Sequence, residues 1–443
     1  MENPCHMCMP MGGILALKGI EGAMVMVHGS QGCSTYMRRH IAEHFNEPVD
    51  VGSSSLNEKG TVYGGEANLR QGLDNIIRVY QPGLIGVITT CLAETIGEDI
   101  IRIVNDYRQE HRLSLPIVAA NTPGYGGSHS DGYWLTVRRL VETLATGAER
   151  HNKINIIVPN ISPADIRELK RLLAVMEFEY TLCPDISETL DRPYLPSYSK
   201  LPAGGTPIGA LCRMGGAPAT IEFAVTIEKD VSPGQYLQDT FGVPLYSIPI
   251  PIGMENTDAF MAVLETISGR RRPPVLADER GRLIDAMIDS HKYNFSGRSA
   301  IFGDPELVYA LTQTCLENGI CPIVVTGDKG GKLAKLLPLN EMTNETVVLS
   351  DPDFNLVREQ AKAGAVNIAI GHSDGRFLTE RDDIPLVRLG FPIHDRVGGQ
   401  RLLSIGYTGT TLVLDRITNT LLAAKYQDYR KTMFSKYYKQ SQV

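Results

Sequence analysis

The chain has 443 residues, 43% hydrophobic and 21% charged, and its 43 Gly and 26 Pro are spread along it rather than clustered. At ~100–200 residues per domain this length allows about three domains, and the composition excludes a disordered, collagen-like or coiled-coil chain. With 50 acidic against 43 basic residues, the net charge of -7 excludes a general nucleic-acid surface.

No apolar run reaches the ~18–20 residues of a bilayer span. The start, Met1-Glu2-Asn3-Pro4-Cys5-His6-Met7-Cys8, has neither the basic nor the apolar region of a secretory signal. The expectation is a soluble, cytoplasmic protein with no membrane and no nucleic-acid partner.

Short Val- and Ile-rich runs alternate with helical patterns, which predicts an α/β chain of three doubly wound, mostly parallel sheets. In the first stretch, Ala23–Val27, Leu84–Ile88 and Ile117–Ala120 read as buried strands, with helices over Gly97–Tyr107 and Asp131–Leu144. A second unit opens at Ile154–Val158, and Ser162 with Pro163 starts a helix through Met176 as N-cap and first-turn proline. Pro184–Pro207 reads as a loop, followed by helix and the strand Pro244–Ile248. A connector helix over Ala277–Tyr293 leads to a third unit: strand Arg298–Phe302, helix Pro305–Asn318, strands Pro322–Thr326, Val366–Ile370 and Pro385–Leu389, and a closing helix from Thr411 to Ala424. The expected division is 1–150, 151–275 and 276–443. The tail Lys425–Val443 reads as a helix extension or a partner-binding arm. No P-loop and no nucleophile-elbow serine motif is present; Thr326-Gly327-Asp328-Lys329-Gly330-Gly331 is a Gly-rich turn in the wrong order for the former.

Eight cysteines are few for this length, and in a reducing compartment they read as buried thiols or metal ligands rather than disulfides. Cys183, Cys212, Cys315 and Cys321 read as small core residues. Cys33 follows the first strand in His28-Gly29-Ser30-Gln31-Gly32-Cys33, and Cys91 follows the second in Thr89-Thr90-Cys91. Cys8 stands at the entry to the first helix. In doubly wound sheets the functional crevice lies beyond the carboxyl ends of the strands, where helix ends lower thiolate pKa. Structural zinc takes four protein ligands, usually in paired knuckles, and only the Cys5/Cys8 pair has that spacing. Iron–sulfur clusters draw thiolates from widely spaced loops; three from this chain leave a set for a second chain to complete. Unrelated thiols at loop–helix junctions are the plain alternative. Gly12, Gly32 and Thr89-Thr90 stand where backbone and hydroxyl groups reach such a cluster. Arg38, Arg39 and His40 read as a partner contact or a solvated face, and His372 and His394 as structural.

Several stretches resemble the β-type subunit of nitrogenase component 1. They are Cys8-Met9-Pro10-Met11-Gly12, His28-Gly29-Ser30-Gln31-Gly32-Cys33, Tyr63-Gly64-Gly65, Thr89-Thr90-Cys91-Leu92-Ala93-Glu94 and Asn121-Thr122-Pro123. Glu279-Arg280-Gly281-Arg282, Gly303-Asp304-Pro305 and Arg388-Leu389-Gly390-Phe391-Pro392 continue the likeness in order along the chain. The resemblance implies three Rossmann-like domains and an α-type partner in an α2β2 heterotetramer. It also implies a P-cluster-type [8Fe-7S] centre at the αβ interface, with Cys8, Cys33 and Cys91 matching the β-side thiolates. Tyr63 matches an aromatic residue where a separate ATP-dependent iron-protein reductase docks. The iron–sulfur active-site cofactor belongs to the α-type partner, so no catalytic residue is expected here.

The likeness has departures. Where the family has Thr-Pro-Ser, whose hydroxyl ligates the oxidised cluster, this chain reads Thr122-Pro123-Gly124-Tyr125; Tyr125 is the candidate substitute. Cys5 is an extra thiol beside Cys8. Within the superfamily the wording leans to a nitrogenase-like reductase such as methylthio-alkane reductase, which reduces C–S bonds. The alternatives are the β subunit of a dinitrogen-reducing nitrogenase and a cofactor-maturation scaffold subunit, the latter disfavoured by all three thiols being retained.

Overall fold

The computed structural model describes residues 7–147, 149–197, 199–327, 330–338 and 343–438. Cys5 and His6 lie outside them, as do Asp328 and Lys329 of the Gly-rich turn.

Three parallel sheets follow one another along the chain. The first contains β1 (Ala23–His28), β2 (Gly52–Ser53), β3 (Leu84–Thr89) and β4 (Ile117–Ala120), in the order β2-β1-β3-β4. The second contains β5 (Ile154–Ile157), β6 (Tyr180–Cys183), β7 (Thr220–Glu222) and β8 (Leu245–Ser247), in the order β6-β5-β7-β8. The third contains β9 (Arg298–Phe302), β10 (Cys321–Gly327), β11 (Val347–Ser350), β12 (Ile368–Gly371) and β13 (Leu386–Arg388), in the order β11-β10-β9-β12-β13. Every residue of β1 and β3 is buried, as helices on both faces require. In the first sheet the chain leaves β1 to one side for β2 and returns to the other for β3. The topological switch point, where such sheets open a crevice, therefore lies between the ends of β1 and β3.

The sequence reading of the three-sheet α/β plan holds, while the structure adds β2, β6, β7 and β11. Of these, β2 has two residues and β7 carries Glu222 fully buried, so neither presents an apolar run. No helix or strand interrupts the described part of Pro184–Pro207. Ser162 caps Pro163–Val175 as expected, its Oγ accepting from Asp165 N–H at 2.9 Å. The closing helix is longer than its apolar pattern, running Gly406–Tyr437, because its last turns are exposed and polar-aromatic.

Helices Met9–Lys18 and His129–Leu144 cross in close contact against the first sheet. A Cβ on Gly12 would lie 1.7 Å from the His129 carbonyl oxygen, and one on Gly132 would lie 1.9 Å from that of Met9. Reciprocal glycines thus set the crossing distance. Ser128 and Asp131 form a capping box that starts the second of these helices. Two buried polar ties join the sheets. His129 Nε2 lies 2.6 Å from Asp304 Oδ1. Asp165 accepts from the backbone N–H of Ser404 at 2.7 Å and of Ile405 at 3.1 Å.

Cys183 and Cys315 are buried, and burial pushes each thiol up to about 12, in keeping with core roles. Arg38 Nε donates to Val49 O at 2.8 Å, and Arg39 pairs with Glu43 at 2.7 Å. His372 packs edge-on against Phe302, and His394 Nε2 meets Arg376 Nη1 at 2.8 Å, both structural settings.

Candidate metal centre

The loops leaving β1 and β3 start side by side. The N–H of Thr90 donates to the carbonyl of His28 at 3.1 Å. A Cβ on Gly29 would fall 1.9 Å from Thr90 Oγ1, so only glycine lets these strand ends pack together. From there Cys33 enters the first turn of helix Gln31–Phe45, and Cys91 opens the short helix Cys91–Thr95. Cys8 is the N-cap of Met9–Lys18 and forms an isolated antiparallel bridge with Ser128.

A third loop brings two of these sulfurs together. An ideal Cβ on Gly124 would lie 3.0 Å from Cys91 Sγ and 3.4 Å from Cys8 Sγ. Cys33 is near enough for its charge, like that of Cys91, to act on Cys8. Cys8 and Cys91 are exposed and Cys33 is half-buried, its sulfur accepting from Ser30 Oγ–H at 3.3 Å. The expected lowering of thiolate pKa by a helix end does not hold at Cys8. Although the residue is exposed overall, partial desolvation of its sulfur pushes this thiol up, and the charges of Cys91 and Cys33 push it further, because like charges repel.

Among the described residues, no three His, Cys, Asp or Glu side chains close on a single metal ion. The thiols form an open, partial donor set. Thr90 Oγ1, beside Cys91, is buried with no hydrogen-bond partner among the described residues. Soft sulfur donors from separate loops, glycine walls and an orphaned hydroxyl fit a polynuclear iron–sulfur group better than zinc.

The other candidate residues have distinct settings. Gly12 is turned into the helix crossing, where packing accounts for its lack of a side chain. Gly32 is exposed, with nothing nearer to a Cβ than Ser30 Oγ at 3.9 Å. Tyr125 is 66% exposed and Tyr63 is 82% exposed.

Beneath the thiols lies a polar lattice that the sequence reading missed. Thr89 Oγ1–H donates to Glu94 Oε1 at 2.5 Å, Asn121 Nδ2 donates to the same oxygen at 2.7 Å, and Thr122 N–H donates to Thr89 Oγ1 at 2.7 Å. His28 is fully buried, its Nδ1 2.9 Å from Ser54 Oγ and its Nε2 3.8 Å from Glu98 Oε2. Burial pushes this imidazole down, and Glu98 partly offsets that. Tyr36 was also missed. It faces the same rim, since burial and then Cys8 push its hydroxyl up, and it stacks edge-on with His40 at 4.3 Å. Its position one helical turn past Cys33 was the available signal.

The nitrogenase component 1 type oxidoreductase family matches residues 8–422 of this chain. The chain belongs to that family. It is 36% identical over 445 residues to the nitrogenase molybdenum-iron protein beta chain of Methanococcus maripaludis, covering 96% of this chain and 95% of that one. It is 34% identical over 437 residues to the nitrogenase vanadium-iron protein beta chain of Trichormus variabilis, covering 95% and 94%. A solved chain of nitrogenase Cp1 at pH 6.5 superposes with a TM-score of 0.91 at 33% identity, covering 96% of this chain and 94% of that chain. This member of the nitrogenase component 1 family is therefore a β-type subunit of an oxidoreductase complex, and the family implies iron–sulfur clusters. Among the described residues no helix is long and apolar enough to cross a membrane.

Proposed function

We propose that this chain is the β-type half of a component 1 heterotetramer, α2β2, with Cys8, Cys33 and Cys91 as its thiolate ligands to a P-cluster-type [8Fe-7S] centre shared with the α-type subunit. Bound there, the group supplies electron transfer between an ATP-dependent iron protein and the iron–sulfur active-site cofactor of the α-type subunit. The observation that carries this reading is that Cys8 and Cys91, distant in sequence, meet at the Gly124 wall, with Cys33 at the adjoining end of β1 and near enough to act on Cys8, as an incomplete set. The chain's own work is positional. The paired ends of β1 and β3 fix Cys33 and Cys91, the helix Met9–Lys18 brings in Cys8, and Ser30 and Thr90 offer hydroxyls to sulfur. The exposed Tyr63 corner serves as the iron-protein docking site. The sheets correspond to domains 1–150, 151–275 and 276–443, in a cytoplasmic complex.

For substrate, we favour C–S bond reduction of the methylthio-alkane reductase type. The supporting feature is Gly124, which puts a hydrogen beside Cys8 and Cys91 where the family has a serine hydroxyl. Dinitrogen reduction is the second reading, favoured by the molybdenum- and vanadium-iron relatives.

Iron and sulfide analysis with subunit co-elution tests the assignment. Cys33→Ala and Cys91→Ala are expected to lose the shared cluster and weaken αβ assembly; full iron in an intact complex rejects it. Turnover of a methyl thioether against dinitrogen by the complete system separates the two substrates.

A further inference from the structure

The exposed Tyr63 corner is wired into the protein interior at one carboxylate. Tyr63 ends the helix Glu58–Tyr63; Gly64 follows in a left-handed conformation at φ 93°, and Gly65 is the N-cap of helix Glu66–Tyr80. The N–H of Gly65 donates to Glu98 Oε1 in a short hydrogen bond. Glu98 lies just past helix Cys91–Thr95, and its other oxygen faces the buried His28 ring at 3.8 Å. Gly65 also sits directly on that ring: a Cβ there would lie 3.0 Å from His28 Cε1 and 2.5 Å from Leu56 Cδ2. There is no slack between the corner and the end of β1.

Both cysteine loops start from this point. His28 is the last residue of β1, paired in register with Thr89 at the end of β3. Its carbonyl holds Thr90, and Ser54 Oγ, which meets the His28 ring, accepts from Gly29 N–H at 3.0 Å. A carboxylate with only 8% of its side chain exposed, bonded to one backbone N–H and facing one imidazole, is held by few partners. Displacing any of them is costly in a low-dielectric setting. The corner, Glu98 and His28 therefore move together or not at all.

We propose that Glu98 is a positioning residue that couples protein docking at the Tyr63 corner to the setting of the Cys33 and Cys91 loops. This rests on the docking reading above. A protein pressing on Tyr63 shifts Gly65, Gly65 shifts the Glu98 carboxylate, and Glu98 passes the shift to His28 and to the segment that follows Cys91. Among the described residues no hydrogen bond or ion pair joins Glu98 to a thiol, so its effect is on the loops that hold them.

The test is hydrogen exchange of the assembled complex with and without its iron protein, in wild type, Glu98→Ala and Glu98→Gln, with iron content and the cluster's electron paramagnetic resonance spectrum recorded for each. In wild type, docking is expected to slow exchange at residues 58–66 and, by about fivefold or more, at residues 84–95. In Glu98→Ala, which removes the acceptor of Gly65 N–H and the group facing His28, the protection stays at 58–66 and the response at 84–95 is lost, while iron content and the undocked spectrum are unchanged. Glu98→Gln, whose side-chain carbonyl still accepts from Gly65, retains the response at least in part. Spreading in Glu98→Ala equal to wild type overturns the proposal. So does a Glu98→Gln variant that assembles with full iron yet loses the response completely, which also decides the matter if Glu98→Ala fails to assemble. Absence of any protection at 58–66 in wild type overturns the docking reading, and this proposal with it.

Discussion

The switch points of the first and third sheets share a topology and differ in what fills them. In the first, the loops after β1 and β3 carry Cys33 and Cys91, with Thr90 Oγ1 left without a partner among the described residues. In the third, the loops after β9 and β12 carry Asp304 and His372-Ser373, and each of these side chains faces a polar group of the chain itself. Asp304 meets His129 at 2.6 Å, His372 Nδ1 accepts from Asp374 N–H at 3.4 Å, and Ser373 Oγ bonds Asp395. Asp395 is in turn held by Arg388 through Nε at 2.9 Å and Nη2 at 2.5 Å. Topology provides a crevice in both places; in the first it is rimmed by free thiols, and in the third its polar side chains turn onto one another. The open end pays in stability for its availability, and the closed end ties the sheets together.

The sharpest way to break the contrast is to disturb the element that brings Cys8 to the open end. Gly12→Ala forces a methyl group into a space where a Cβ would lie 1.7 Å from the His129 carbonyl and 2.6 Å from the Tyr133 nitrogen. Backbone cannot yield as a flexible side chain does, so the cost sits at the upper end of overpacking, about 3 kcal/mol. A shift in the urea midpoint measures it, with partial loss of iron alongside because Cys8 moves with its helix. Wild-type stability would mean that the two helices have freedom to separate, and that the position of Cys8 is not set by their packing.

At the closed end the effect is smaller and depends on pH. Burial alone would raise the Asp395 carboxyl, but the Arg388 guanidinium and Ser373 outweigh it and hold it at about 2 instead of 3.8. Because the folded value lies below the unfolded one, this stabilisation is complete above pH 3.8 and is lost as the pH falls through about 2. Because solvent screens a partly exposed pair, the contribution is discounted to about 1 kcal/mol. Asp395→Asn is expected to lower the urea midpoint at pH 6 and to flatten the acid limb of stability against pH. An acid limb as steep as wild type would remove Asp395 from the closure of this end.

How much of this contrast was readable in the sequence follows from what sequence patterns encode. β1, β3, β4 and β9 are buried on both faces and read as apolar runs, and Ser162-Pro163 announces its helix through local capping. The three thiols were legible because each follows a glycine-bearing turn or opens a helix, positions where a core cysteine has no reason to be. The lattice under them was not. Glu94 and Glu98 occupy positions where a solvent-facing carboxylate is the ordinary expectation, and only the approach of Gly65, His28, Asn121 and Thr89 gives them buried roles. Glu222 misled in the opposite sense: a buried carboxylate satisfied by Ser232 and Gly234 hides a strand. Long-range hydrogen bonding leaves no periodicity to detect.

The smallest expected effect sharpens the geometry of the open end itself. A methyl group at Gly124 would meet Cys91 Sγ at 3.0 Å and Cys8 Sγ at 3.4 Å, both tighter than or at the edge of ordinary contact. The sulfurs belong to exposed loop–helix junctions and can give by tenths of an ångström, so Gly124→Ala is expected to cost no more than about 1 kcal/mol. Its signature is selective. In protein stripped of metal, alkylation of Cys8 and Cys91 should slow about twofold through crowding at that wall, whereas Cys33, whose sulfur rests against Ser30 instead, should react at its wild-type rate. Equal slowing at all three thiols would mean that residue 124 reshapes the whole rim. No slowing at any would place it away from the sulfurs, and the open end would then lack the wall that brings Cys8 and Cys91 onto one face.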